Sequence, residues 1–239
     1  MVSKSQIKLI TSLAQKKYRQ QLGLFVVEGI KGIEEFLNSN LNLHSLYALP
    51  GYFETEESRV EINERELKKI SFLKTPQKAL AIFHMPNSPE VTSSGLTLIL
   101  DDVRDPGNLG TIIRYCDWYG IKELICSNQT VDCYNPKVVQ ATMGSLTRIK
   151  ITYTDLKSYL KNQKRPVFGA FMDGISVYKQ VLPKDAILIL GNEANGISAE
   201  VEALVNNRIA IPGFGASQTE SLNVAIAGAI LVSEFKRRQ

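Results

Sequence analysis

Three stretches of this chain combine glycine with carboxamide, carboxylate, hydroxyl and guanidinium side chains. The first is Asp101-Asp102-Val103-Arg104-Asp105-Pro106-Gly107-Asn108-Leu109-Gly110, with Arg114 a turn and a half further on. The second is Gly191-Asn192-Glu193-Ala194-Asn195-Gly196-Ile197-Ser198. The third runs from Ile211-Pro212-Gly213-Phe214-Gly215 through Ser217 and Glu220 to Ser221-Leu222-Asn223. Glycine permits tight turns and lets the backbone approach a ligand closely. Free N–H groups at a helix start, with amide and hydroxyl side chains beside them, suit a polar or anionic ligand.

Each stretch also has a folding explanation. Asn108 as a helix N-cap and Arg114 in a surface ion pair account for the first when it is taken alone. A turn with a solvated Glu193 accounts less well for the second, because folding does not ask for a carboxylate between two glycines directly after a buried strand. In the third, Ser217 and Glu220 fit a capping box. That leaves Ser221 and Asn223 unexplained.

Several chemistries are disfavoured. The three cysteines, Cys116, Cys126 and Cys133, form no C-x-x-C pair, which argues against a disulfide framework and a zinc site. The two histidines, His44 and His84, lie far from them, so a metal hydrolase or a Ser-His-Asp enzyme is not expected. No G-x-G-x-x-G opens a helix. The Gly169 to Gly174 spacing is followed by Ile175-Ser176 and lacks the lysine of a phosphate loop. No cysteine sits in a turn suited to a nucleophile. No apolar run is long enough for a membrane span, and the N-terminus lacks the apolar core of a signal peptide. The expected location is cytoplasmic, without metal or membrane.

The elements that must position these residues fall in two parts. In the first, helical spacing of Ile7, Ile10, Leu13 and Ala14 ends at Gly23. Strands are expected at 25–27, 45–49 and 79–83. Ile33, Phe36 and Leu37 mark a helix, and Asn63 with Glu66 reads as a capping box. Residues 1–85 are thus a small α/β domain. Residues 86–95, rich in Pro and Ser, are the linker. From 96 to 239 apolar runs alternate with helical patterns. Strands are expected at 96–100, 123–126, 148–152, 167–171, 186–190 and 208–211. Helices are expected at 109–119, after Asn135-Pro136, after Ser198, and from about Glu220 to Arg237. This is an α/β pattern with a mostly parallel sheet and helices on both faces. Ligands bind at the carboxyl ends of such strands, where all three stretches lie.

Net charge is +4, and its distribution says more than its size. Lys4, Lys8, Lys16, Lys17 and Arg19 occur with no acidic residue before Val27, and Lys236, Arg237 and Arg238 close the chain. Clustered cations track phosphates, or simply solvate a helix face.

At the three stretches the sequence resembles the SpoU/TrmH family of RNA ribose methyltransferases, in the SPOUT superfamily. Asp105-Pro106-Gly107-Asn108-Leu109-Gly110 with Arg114, Gly191-Asn192-Glu193 to Gly196-Ile197-Ser198, and Ile211-Pro212 with Ser221-Leu222-Asn223-Val224-Ala225 carry the likeness, in family order. The N-terminal part is similar to an L30e-like substrate-binding domain, through Lys16-Lys17-Tyr18-Arg19 and Phe25-Val26-Val27-Glu28-Gly29. The resemblance implies a trefoil knot, a homodimer and S-adenosylmethionine as cofactor. It implies cofactor binding at Gly191, Asn192, Gly196, Ile211 and Leu222, and a catalytic set of Asn108, Arg114, Glu193, Ser221 and Asn223. RNA contact falls to Lys4, Lys16, Lys17 and Arg19, with ribosomal RNA favoured over transfer RNA. A guanidinium stays protonated at neutral pH, so Arg114 is expected to stabilise the developing 2′-oxyanion rather than act as a base. The competing readings are a non-catalytic ribosome-assembly protein on the same fold, a nucleotide enzyme on an ordinary doubly wound sheet, and methylation of a base nitrogen.

Overall fold

The computed structural model describes residues 2–86, 94–215 and 221–237. In chain order the first elements are α1 (Lys4–Ser12), α2 (Lys16–Leu22), β1 (Leu24–Glu28), α3 (Ile30–Leu37), β2 (Leu43–Ala48), β3 (Arg59–Glu61), α4 (Glu64–Ile70) and β4 (Ala79–His84). Then follow β5 (Leu96–Leu100), α5 (Pro106–Trp118), β6 (Glu123–Ser127), α6 (Pro136–Thr142), β7 (Lys150–Thr154), α7 (Leu156–Lys161), β8 (Val167–Ser176), β9 (Ala186–Leu190), α8 (Ala199–Glu202), β10 (Asn207–Ala210) and α9 (Val224–Arg237). Among the described residues no helix is long and apolar enough to cross a membrane.

Contacts divide the chain into two units: Met1–Asn87 with Asp132–Thr147, and Ser88–Val131 with Arg148–Gln239. The linear reading kept 132–147 with the second part, but α6 packs on β1. Nothing in the periodicity of so short a segment says which apolar surface it will cover.

The first unit holds a four-stranded sheet in the order β1-β4-β2-β3. The expected helix over Ile7–Ala14 is two helices, α1 and α2, and Gly23 ends the second in the left-handed region at φ 64°. Asn63 and Glu66 form the capping box expected of them. Strand β3 is a short addition that its polar sequence does not announce. Phe25, Phe36, Phe83 and Tyr134 pack as an aromatic cluster, which ties the 132–147 segment to β1.

The second unit is a six-stranded sheet in the order β10-β8-β9-β5-β6-β7, parallel throughout its ladders. The central strands β5 and β9 are buried along their whole length. That is why they read as unbroken apolar runs rather than as alternation. Ile99, Ile125, Ile187 and Ile189 pack on one side with Leu156, Leu160 and Val201 of α7 and α8. On the other side α9 lies so close that a Cβ at Gly228 would stand 2.6 Å from Leu190 Cδ1. Phe168 and Phe235 meet edge-to-face on that same side, at 5.2 Å. The sheet is therefore covered on both faces.

Candidate functional site

Strands β5 and β9 are parallel neighbours in register, with Leu100 opposite Leu190. Their carboxyl ends therefore release the first and second stretches side by side. Asp101 continues the ladder by donating its N–H to the Leu190 carbonyl, at 2.9 Å. Its carboxylate then accepts the Ser198 N–H at 2.8 Å, closing the far end of the second loop. Asp102 stands at φ 59°, unusual for a residue with a side chain. Three contacts hold it there. Its N–H donates to Ser127 Oγ at 2.9 Å, its carbonyl accepts the Asn192 amide at 2.7 Å, and Arg104 forks onto its carboxylate at 2.8 and 2.9 Å.

The second loop is a tight one. Asn192 and Gly196 exchange backbone hydrogen bonds at 2.8 and 2.9 Å, and the Asn192 side chain accepts the Ala194 and Asn195 N–H groups. Gly196 takes φ 70°. A Cβ at Gly191 would fall 2.2 Å from the Gly196 carbonyl carbon, so no side chain fits there. The loop presents Glu193 at its exposed tip.

Glu193 receives the first stretch. Asn108 donates its amide to Glu193 Oε1 at 2.9 Å, with longer approaches from the Arg104 and Asp105 N–H groups, at 3.4 Å each. Asn223, from the third stretch, donates its amide to Asn108 Oδ1 at 2.9 Å. Its own Oδ1 accepts the Ala225 and Ile226 N–H groups, at 2.9 and 3.3 Å, as the N-cap of α9. One hydrogen-bonded chain, Asn223 to Asn108 to Glu193, thus joins all three stretches.

Two expectations for the first stretch are corrected. The N-cap of α5 is Asp105, whose carboxylate accepts the Asn108 N–H at 2.8 Å, and Pro106 occupies the first helical turn. Asn108 is already inside the helix, which frees its side chain for Glu193 and Asn223. Arg114 forms no surface ion pair. It stands exposed on α5 without a hydrogen bond or ion pair among the described residues. Six positions separate it from Asn108, which turns it about a third of a revolution away from the network. The helix places beneath Asn108 not Arg114 but Tyr115, whose buried hydroxyl points at Gly228 and has no hydrogen-bond partner among the described residues. Burial disfavours the phenolate and pushes the pKa of that hydroxyl well above the ordinary tyrosine range.

A cavity of about 450 Å³ opens beside this network. Gly191, Asn192, Glu193, Gly196, Ile211, Ser221, Leu222 and Asn223 line it, together with apolar Leu190, Ile209 and Leu231. Every residue expected to bind the cofactor is on that wall. Asn108 reaches the cavity through Glu193 and Asn223, and Arg114 is not part of the lining. Ser217 and Glu220, with their capping box, lie outside the described residues. Helix α9 begins at Val224, four residues later than expected. Ser198 precedes α8 without a side-chain cap bond. The sequence reading missed the contribution of β8, from which Ala170, Phe171 and Met172 complete the wall. The glycine at each end of that segment was its only signal.

In the first unit Lys4, Lys16 and Lys17 are exposed at α1 and α2. Arg19 is not. It is 1% exposed, pairs with Asp132 at 2.5 Å, and donates to the Leu13 and Ala14 carbonyls at 2.8 Å. A guanidinium with its donors consumed internally cannot also contact RNA, so Arg19 leaves the RNA-contact set.

Comparison with known proteins agrees with the geometry. Residues 95–233 match the SpoU rRNA Methylase family, and residues 4–81 match the MRM3-like substrate binding domain. The chain is 31% identical to the 23S rRNA (guanosine(2553)-2'-O)-methyltransferase RlmP of Bacillus subtilis, across 94% of this chain and 93% of that one. A protein of Porphyromonas gingivalis assigned to the TrmH family of RNA methyltransferases superposes with a TM-score of 0.92 at 43% identity, over 100% of both chains. The AdoMet-bound rRNA methyltransferase of Sinorhizobium meliloti gives 0.88 at 28% identity, over 100% of this chain and 97% of that one. With a matching methylase domain, a matching substrate-binding domain and one cavity lined by the second and third motifs and hydrogen-bonded through its rim to the first, the chain belongs to the SpoU rRNA methylase family.

Proposed function

We propose that this protein transfers a methyl group from S-adenosylmethionine to a ribose 2′-hydroxyl of RNA, with ribosomal RNA as the substrate class. The observation that carries the reading is the cavity whose lining and hydrogen-bonded rim come from all three motifs at once. Its volume lies in the range of small-ligand pockets, and its lining is apolar with a few convergent polar groups. That lining suits a cofactor with an aromatic base and a charged amino-acid end. The tight approach at Gly191 leaves backbone rather than side chain to meet it. RlmP and the Sinorhizobium protein, by their names, act on rRNA, and the latter binds AdoMet.

The cofactor supplies a methyl group on a sulfonium, ready for displacement. The protein's task is alignment of the hydroxyl and stabilisation of charge on its oxygen. Gly191, Asn192, Gly196, Ile211 and Leu222 hold the cofactor. Asn108, Glu193, Ser221 and Asn223 orient cofactor and ribose at the cavity rim. Arg114, without a hydrogen-bond or ion-pair partner among the described residues, stabilises charge on the 2′-oxygen while its proton passes to solvent water and the methyl leaves the sulfonium. Lys4, Lys16 and Lys17 contact RNA phosphates from the first unit, which we read as L30e-like. The family resemblance also supports a trefoil knot in the second unit, a homodimer and a cytoplasmic location.

The test is transfer of labelled methyl from S-adenosylmethionine to total RNA from a strain lacking the gene, with mapping of alkali-resistant 2′-O-methyl sites. Label at one such site, absent with Arg114→Ala, is the expected result. Cofactor binding without transfer to any RNA would overturn the catalytic reading in favour of an assembly role.

A further inference from the structure

The segment from Gly169 to Gly174 has the spacing of a phosphate loop without its lysine, and none of the three motifs accounts for it. The strand ladder shows what it does. β8 pairs with β10 at Phe168 and Gly169, opposite Asn207 and Arg208, and then only at Ile175 and Ser176, opposite Ile209 and Ala210. Its ladder with β9 also stops at Gly169. Residues 170–174 therefore leave the sheet as an excursion with no ladder partner among the described residues, and Ala170, Phe171 and Met172 of that excursion line the cavity.

Both glycines are closely crowded, Gly174 by backbone that cannot give way. A Cβ at Gly169 would lie 2.5 Å from the Phe171 ring, and one at Gly174 would lie 2.5 Å from the Ile209 backbone. Without a ladder, something else must hold the segment. Arg208 lies at the last pair before the gap. Its guanidinium stacks 3.6 Å over the Phe171 ring and donates to Asp173 at 2.6 Å. It also bonds Glu202 of α8.

We infer that Arg208 is a positioning residue for cofactor binding, which holds the Gly169–Gly174 excursion as a wall of the cavity through the Phe171 ring and Asp173. The inference rests on the assignment of that cavity to S-adenosylmethionine. Arg208 is not among the residues that line the cavity, so its effect must pass through Phe171 and the excursion it belongs to. It must also fall on cofactor affinity rather than on the chemical step.

The experiment is calorimetric binding of S-adenosylmethionine, with steady-state kinetics and thermal melting on the same preparations. Arg208→Ala is expected to weaken binding and raise the cofactor KM about fivefold to tenfold, the scale of a lost cation–π contact with its flanking ion pairs. The kcat at saturating cofactor and the melting temperature should hardly move. Arg208→Lys keeps a cation over the ring and should recover part of the affinity. Phe171→Leu should produce a similar loss, and the double variant should lose no more than either single one. Unchanged affinity in Arg208→Ala overturns the inference, as does a parallel fall of kcat and melting temperature. Gly191→Val is the control for the underlying assignment. It should abolish cofactor binding, and if it does not, the cavity itself is misassigned.

Discussion

The Asn223 amide donates to the Asn108 carboxamide oxygen at 2.9 Å, and this one bond fixes the orientation of the whole rim. Glu193 can only accept, so Asn108 must turn its NH2 toward it. Asn108 then has only its oxygen left for Asn223. Asn223 in turn must offer its NH2, leaving its own oxygen to cap α9. Each amide is used at both ends.

That directionality predicts the effect of Asn108→Asp. The change sets a second carboxylate against Glu193 and removes the donor between them. A lost hydrogen bond to a charged group is worth about 1.5–3 kcal/mol. The expected fall in kcat/KM is therefore roughly ten- to a hundredfold, before repulsion is added. Methyl-transfer kinetics with saturating RNA measure it. An active Asn108→Asp variant would falsify the relay as the organiser of the rim.

Arg114 separates catalysis from folding. It is exposed and unpaired among the described residues, so Arg114→Ala should change stability by less than about 0.5 kcal/mol. In the proposed role, transfer to RNA should nonetheless disappear almost entirely, and Arg114→Lys should keep a measurable fraction, because lysine preserves the positive charge. Equal loss in both variants with cofactor affinity intact would instead favour a role that only a guanidinium fork can fill.

Arg19 behaves in the opposite way. Its side chain is 2% exposed and that of Asp132 11%. Removing one partner of a buried pair leaves a buried charge, at a cost of about 3–5 kcal/mol. Arg19→Ala should shift the denaturation midpoint strongly and release the 132–147 segment to proteolysis. Lys16→Ala and Lys17→Ala should weaken RNA binding and leave the midpoint in place. A stable Arg19→Ala protein that binds RNA poorly would return this residue to the RNA surface.

Tyr115 offers a stabilising change. Its buried hydroxyl has no partner among the described residues and is crowded against α9 at Gly228. An unmade hydrogen bond in a buried group costs about 1–3 kcal/mol. Tyr115→Phe should therefore be neutral or raise the melting temperature by roughly 2–4 °C, as scanning calorimetry will report. A clear destabilisation would mean that the hydroxyl has a partner, such as an ordered water.

What the sequence determined by itself is the part governed by local rules. The runs at 96–100 and 186–190 are strands to the residue, because burial on both faces demands unbroken apolar sequence. The Asn63 capping box, the Asn135-Pro136 helix start and the Gly23 stop obey short-range stereochemistry and lie where the residues place them. The glycine-flanked Glu193 was legible as a site, because no folding need explains it. Only the tertiary structure decided which side chains meet. Parallel pairing of β5 with β9 brings Asp101 beside Ser198, and the α9 cap brings Asn223 to Asn108, across 115 positions of chain. The same cause turned Arg19 inward and gave 132–147 to the first unit, since a cation or a short helix carries no local mark of the surface that will bury it. The wall from Gly169 to Gly174 showed in the sequence only as two spaced glycines, for that reason too. An excursion is defined by the ladder it leaves, and a ladder is a relation between strands, not a property of either sequence.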